Sequence, residues 1–258
     1  LAQRPDLDEA ATVLDAVVAG DGPAATAVRA YDHALARLDN ESPVEHAMVN
    51  AVSARYEWPA PEDRMPLDQA YADAMHSVYT QFPNDHDVAA LFAESLMNLQ
   101  AWDYWENDGS PKGRITEVVD AIEGVLRDDP QHPGANHFYI HAVEASGDPD
   151  RAVPAAERLT DIVPGSGHLV HMPSHIFIRV GRYPDAVNSN RAAIDADRAY
   201  FAKAPAPGYY SLYYAHNIHF LAFASMMSGE YASAIEAARN LEAEIPEENL
   251  RMIAPLAE

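Results

Sequence analysis

Seven of the twelve histidines fall between residues 137 and 219, and their spacing is that of a metal-ligand set. His137-Phe-Tyr-Ile-His141 is followed, 34 residues on at both ends, by His171-Met-Pro-Ser-His175. On a helix, residues four apart share a face, so each pair presents two imidazoles together. Glu144 extends the first pair to His-x-x-x-His-x-x-Glu and adds a carboxylate, as a ligand or a general base. His216 and His219 form a third pair, three residues apart. Neutral imidazole is the commonest biological metal ligand, and helical proteins build metal sites from such pairs on facing helices. Three or four ligands complete one first-row ion. Seven exceed that need, which implies two ions or outer, substrate-holding roles for the surplus.

The histidines keep step with a structural repeat. Counted back from Gly147, Gly181 and Gly229, His141 and His175 stand six residues before their glycines, and His137, His171 and His219 ten before. His168 and His216 both stand thirteen before. Steps of three, four and seven place all of them on one helical face. Pro173 interrupts this picture: it blocks a regular helix through 169–173, so His168 is expected in the preceding turn, aimed elsewhere. A single histidine on a helix face is ordinarily a structural or surface residue; three pairs in register are what carry the metal reading.

Lesser candidates surround these. Glu94 and Asn98, four apart, could face the same groove from the preceding repeat or simply cap and solvate their helix. Trp102, Trp105, Tyr139, Tyr213 and Tyr214 could form an aromatic wall, although aromatics at helical spacing are more often core. Arg179 could pair with a substrate carboxylate or with an acidic neighbour. His33, His46, His76 and His86 show no register, and His132 before Pro133-Gly134 reads as a loop residue at a helix start.

Composition narrows the chemistry. There is no cysteine, so histidine and carboxylate are the available strong ligands, and zinc, iron or copper the expected ions. Zinc would point to water activation and hydrolysis, iron or copper to oxygen chemistry. Forty acidic residues against seventeen lysines and arginines give a net charge of −23. Such a surface repels phosphate backbones and anionic lipid, which argues against nucleic acid and membrane surfaces as partners. No apolar run is long enough to span a bilayer and no secretory leader pattern is present. The chain begins with Leu1, which suggests a processed or excised segment, cytoplasmic or exported. Glycine-rich phosphate loops, Gly-x-Ser-x-Gly and His-Glu-x-x-His are absent.

The elements that must position these residues are helices. Ala, Leu, Glu and Asp dominate, and helical periodicity predicts helices over 8–19, 23–38, 43–56, 66–82, 87–103, 116–130, 134–146, 149–162, 172–181, 184–199, 210–228 and 231–245. Asp85 or Asp87 can cap the fifth of these. Residues 202–208 form the longest irregular connection, and nothing marks a domain boundary, so 1–258 reads as one all-α domain of about six helical hairpins. A period of 34 residues is that of stacked hairpins forming a solenoid.

The pattern Gly181-x-Tyr183-x-x-Ala186 and Gly229-x-Tyr231-x-x-Ala234, with a weaker Gly147-x-Pro149-x-x-Ala152 and closing Pro130, Pro164 and Pro246, resembles the tetratricopeptide repeat (TPR). The clear resemblance covers residues 114–246. The strings Ala101-Trp-Asp-Tyr-Trp105, His132 to His141, Gly167-His-Leu-Val-His-Met-Pro-Ser-His175 and His216-Asn-Ile-His-Phe220 are similar to a group of bacterial TPR proteins. That likeness bears on identity and is silent about chemistry. In the repeat family the first helix of each hairpin lines a concave groove, so the resemblance implies a histidine-lined groove. Two functions follow as expectations. One is a metal-dependent enzyme, hydrolase or oxidoreductase, acting on a small molecule at His137, His141, His168, His171, His175, His216 and His219 with Glu144. The other is a scaffold that binds a protein or peptide in the groove without catalysis, for which open solenoid ends also suggest self-association.

Overall fold

Among the described residues of the computed structural model (42–57, 59–204 and 210–244), the chain is helical, with one isolated antiparallel bridge between Trp105 and Pro111. The helices predicted over 8–19 and 23–38 lie outside the described residues. Contacts divide the chain into two compact units, Leu1–Phe82 and Pro83–Glu258. In the first, α1 (Pro43–Ser53) and α2 (Met65–Gln81) pack as a hairpin. The start of α1 is fixed by a capping box, with Ser42 and Glu45 each accepting the other's backbone N–H, and by Pro43 in the first turn.

The second unit carries every candidate ligand. It runs through α3 (His86–Asn98), α4 (Ile115–Asp128), α5 (Pro133–Val143), a 3₁₀ turn (Pro149–Ala152), α6 (Val153–Ile162), α7 (Gly167–His171), α8 (Pro173–Arg179), α9 (Tyr183–Phe201), α10 (Tyr210–Ser228) and α11 (Tyr231–Glu244). Sequential neighbours pack as hairpins: α3 with α4, α5 with α6, α7 and α8 with α9, and α10 with α11. Successive hairpins stack, α4 on α5, α6 on α8 and α9 on α10.

Sequence chemistry sets the ends of these elements. Asp85 caps α3, its carboxylate accepting the Val88 N–H at 3.0 Å. His132 caps α5: its Nδ1 accepts the Ala135 N–H at 3.0 Å, and its Nε2 lies 3.2 Å from Asp87. Gly181 and Gly229 take φ of +76° and +79°, the left-handed turn that ends a helix at little cost only for glycine. Each closes a six-residue loop, Arg182 N–H to Phe177 carbonyl and Glu230 N–H to Ser225 carbonyl. Gly181 and Gly229 thus act as stops just after α8 and α10, which carry His175, His216 and His219, whereas Gly147 lacks the positive φ and follows the end of α5 at Val143.

The core between hairpins is built from Phe92, Ile122, Ile140, Leu159, Met172, Ile176 and Ile218, all fully buried. Small residues at Ala135, Ala142, Ala152, Ala156, Ala186 and Ala193 are buried as well and let helix axes approach. Helix α3 ends at Asn98, earlier than the predicted 103. The chain then turns through Trp102, which holds φ of +64°, a left-handed conformation rare for a bulky residue.

Candidate metal centre

The first unexpected feature lies at Pro173. The pattern predicts a break before α8, yet a short helix, α7, precedes it, and the joining Met172 keeps right-handed helical geometry, φ −50° and ψ −38°. Met172 N–H still bonds His168 carbonyl, and His175 N–H bonds Met172 carbonyl. Proline at the first position of a helix removes a donor that has little use there, so the turn tightens without reversing the face. His168, His171 and His175 therefore stay on one side. The expectation that His168 points elsewhere is corrected: its Nε2 lies 3.1 Å from the Nε2 of His137 on α5.

Six histidines converge on two neighbouring clusters. His137, His141 and His168 bring one ring nitrogen each within 4.8 Å of one another, and so do His171, His175 and His216. Helix α5 supplies two members of the first triad and α7 the third; α7, α8 and α10 each supply one member of the second. The triads adjoin, with ring centroids 5.9 Å apart for His141 and His175 and 6.4 Å for His168 and His171. His219 does not join them. It is exposed on α10, while Phe220 turns inward against His171, His175 and His216 at 4.7–5.0 Å.

Glu144 joins the two triads. One carboxylate oxygen lies 3.4 Å from His141 Nδ1, the other 2.6 Å from His175 Nδ1. A carboxylate only accepts, so both Nδ1 atoms carry a proton, and each Nε2 is left as the nitrogen that can take a metal ion or a further proton. Burial acts to raise the Glu144 pKa, but the imidazoles of His175 and His141 outweigh it and hold the carboxyl well below the ordinary range. A residue missed by the sequence reading does the same for His171. The Asn190 side-chain oxygen on α9 lies 2.7 Å from His171 Nδ1, while its NH₂ donates to the Ala186 carbonyl. That bond fixes the amide orientation, so His171 Nδ1 is the donor and its Nε2 is left in the same way. Ser174 Oγ, 3.3 Å from the same nitrogen, does not alter this.

The consequence is electrostatic. His171 Nε2 and His175 Nε2 are 2.9 Å apart, and the partners held by both Nδ1 atoms turn these two nitrogens toward each other. At that distance the two nitrogens need a proton or a cation between them. Burial, followed by the neighbouring His175 and His216, pushes the His171 pKa well down, so His171 does not readily supply that proton. In the first triad, His168 Nδ1 is buried with no hydrogen-bond partner among the described residues. An orphaned imidazole nitrogen and two Nε2 atoms turned toward each other suit a set of donors able to hold a positive ion.

Burial, reinforced by neighbouring rings, also disfavours protonation of His137, His168 and His216. The pKa falls to about 2 at His137 and to about 4 at His168 and His216, desolvation leading in each. A depressed histidine pKa means the unfolded chain takes up protons below pH 6.5 that the folded chain refuses. Metal-free protein should therefore hold full stability above pH 6.5 and lose on the order of 1 kcal/mol per pH unit for each such histidine between pH 6.5 and 4. Glu144, with its lowered carboxyl, adds loss in the same direction at lower pH. Urea midpoints measured at pH 7.5 and 5 check this; equal midpoints would contradict it.

Asp197, fully buried on α9, ties that helix to α10. It accepts from Tyr210 Oη and Asn217 Nδ2, both at 2.9 Å, and burial raises its pKa. Gly167 opens α7 directly beside it; a Cβ there would stand 1.9 Å from the Asp197 carboxylate oxygen. Gly167→Ala should displace Asp197 and destabilise the unit by about 1–3 kcal/mol, the usual cost of overpacking. Thermal unfolding measures it, and an unchanged midpoint would refute the contact.

The lesser candidates divide. Asn98 donates to Glu94 at 2.6 Å within α3. Trp102 stacks on His141, centroids 5.5 Å apart with rings inclined by 22°, and Tyr213 meets His168 at 4.9 Å. Trp105 instead donates to the Ala142 carbonyl, and Tyr139 and Tyr214 are core residues tied to Arg151 and Arg198. Arg179 is exposed on α8. Among the described residues no helix is long and apolar enough to cross a membrane.

No family model matches the chain, and no curated protein matches it. Solved structures do. MamA residues 41 to the end from Desulfovibrio magneticus RS-1 superposes with a TM-score of 0.55 at 12% identity, covering 78% of this chain and 93% of that one. A MamA RS-1 double mutant gives 0.56 at 12% identity, covering 81% and 95%. A crystal structure of MamA protein gives 0.54 at 10% identity, covering 82% and 94%. At such identities the likeness speaks for fold alone. The chain has an all-α, TPR-like solenoid fold.

Proposed function

We propose that this is a metal-binding TPR-like protein whose two histidine triads each hold one first-row transition ion. The observation that carries the reading is the 2.9 Å approach of His171 Nε2 to His175 Nε2 while the Nδ1 atoms of both face fixed acceptors. An all-imidazole donor set suits zinc, copper, iron or nickel over magnesium and calcium. Glu144 and Asn190 take the part of outer partners that fix tautomer and ring orientation, so Glu144 is read as a positioning residue, not a general base. Three protein ligands leave a coordination position open, the arrangement of a site that acts on a small molecule. With zinc bound the group supplies water activation; with iron or copper, oxygen chemistry. His219 lies at the rim and outside either donor set. Zinc titrated calorimetrically into chelator-treated protein should bind at two equivalents per chain; no heat, or one equivalent unaffected by changes in either triad, would sink the proposal.

A second reading is a scaffold for a protein or peptide partner, or for a second copy of the chain. It is supported by the TPR-like fold and by exposed Tyr213, Phe223 and Met227, which run along one side of α10 beside the histidines. Sedimentation of metal-free and zinc-loaded protein separates the two. A metal-independent dimer lost in Phe223→Ser, Met227→Ser would favour self-assembly on this face.

A further inference from the structure

We propose that the two triads jointly take a small oxyanion, of the phosphate, carbonate or carboxylate class, as an external ligand shared between their ions. The inference rests on the metal reading above and adds what completes it. The six donors of the two triads are imidazoles, which ligate an ion in their neutral form and so bring it no negative charge. Glu144 is the carboxylate bonded to them, and both its oxygens are engaged with ring N–H groups. Two divalent ions would bring four positive charges against that one carboxylate in a largely buried site, a charge that low dielectric penalises heavily. Each ion would also lack a fourth ligand. An anion with two oxygens answers both deficits. The triads adjoin, through the His141–His175 and His168–His171 approaches of 5.9 and 6.4 Å, so one such anion can meet both.

The surroundings give the anion a direction of approach. The second triad is closed, with His171 fully buried and Phe220 packed on His171, His175 and His216. The first is roofed by Trp102 and flanked by Tyr213, which are 72% and 42% exposed. Trp102 keeps a strained positive φ to lie over His141, and such strain in a bulky residue persists where its surroundings impose it. The small ligand therefore passes Trp102 and Tyr213 to reach the shared position.

Cobalt(II) provides the test, because its visible bands report coordination. Chelator-treated protein loaded with two cobalt equivalents is titrated with inorganic phosphate. A saturable band shift at one phosphate per two cobalt ions is expected. His216→Ala, which removes one donor from the closed triad, should weaken phosphate by at least about tenfold while the first triad keeps its cobalt. Trp102→Ala should speed the approach to saturation. Two cobalt ions bound with no phosphate response, or with one phosphate per cobalt, would overturn the shared anion and leave the metal reading intact. Failure to bind cobalt at all would overturn both.

Discussion

The His171→Ala, His175→Ala double variant is expected to lose one of two metal ions outright. His216 alone remains of its triad, and a single imidazole cannot retain a first-row ion against dialysis. The loss should far exceed the 10–100-fold that removal of an outer partner costs. Metal content, measured by elemental analysis, should fall from two ions per chain to one, with the ion at His137, His141 and His168 retained. Helix content by circular dichroism guards against a trivial result, since His171 is fully buried and its truncation leaves a cavity beside Asn190. His171→Gln, which fills more of the space, serves as the second variant. Two ions retained in both would contradict the assignment of ligands.

Glu144→Gln should weaken both ions together, although the change touches neither donor set directly. The carboxylate accepts from His141 Nδ1 and from His175 Nδ1, one oxygen each. Glutamine keeps the shape but offers one oxygen and one NH₂. Whichever ring faces the NH₂ must shift its proton to Nε2, and that nitrogen then ceases to be a ligand. The other ring loses the negative charge that raised its basicity. A 10–100-fold fall in zinc affinity at each site is expected, read by competition with a chromophoric chelator. Glu144→Asp, one methylene shorter, should reach a single ring and so spare one site. Weakening confined to one ion in Glu144→Gln would show that the bridge between triads is not what holds them.

Much of this arrangement is legible in the residues. The displacement of 34 places His137 and His141 over His171 and His175, and the glycine register places them on equivalent faces because Gly181 and Gly229 end equivalent helices. What spacing does not give is the offset between neighbouring helices, which decides whether six rings form one cluster or two. That offset depends on how α7 and α8 join, and the same Pro173 that suggests a break leaves the backbone helical. His219 shows the limit of single-face reasoning. A step of three residues turns the helix by about −60° and a step of four by about +40°, so Phe220 takes the inward place beside His216. Asn190 stands on another helix, in a polar stretch with no distinguishing pattern; only its bond to His171 singles it out. Trp102 is visible as an aromatic, but its left-handed backbone has no glycine or asparagine to announce it.

The most direct measurement is an anomalous-difference map from crystals of zinc-treated protein, recorded on either side of the zinc edge. Two peaks are expected, one among His137, His141 and His168 and the other among His171, His175 and His216, with Glu144 beside both. No peak in either triad, or zinc found only at exposed carboxylates, would contradict the metal centre.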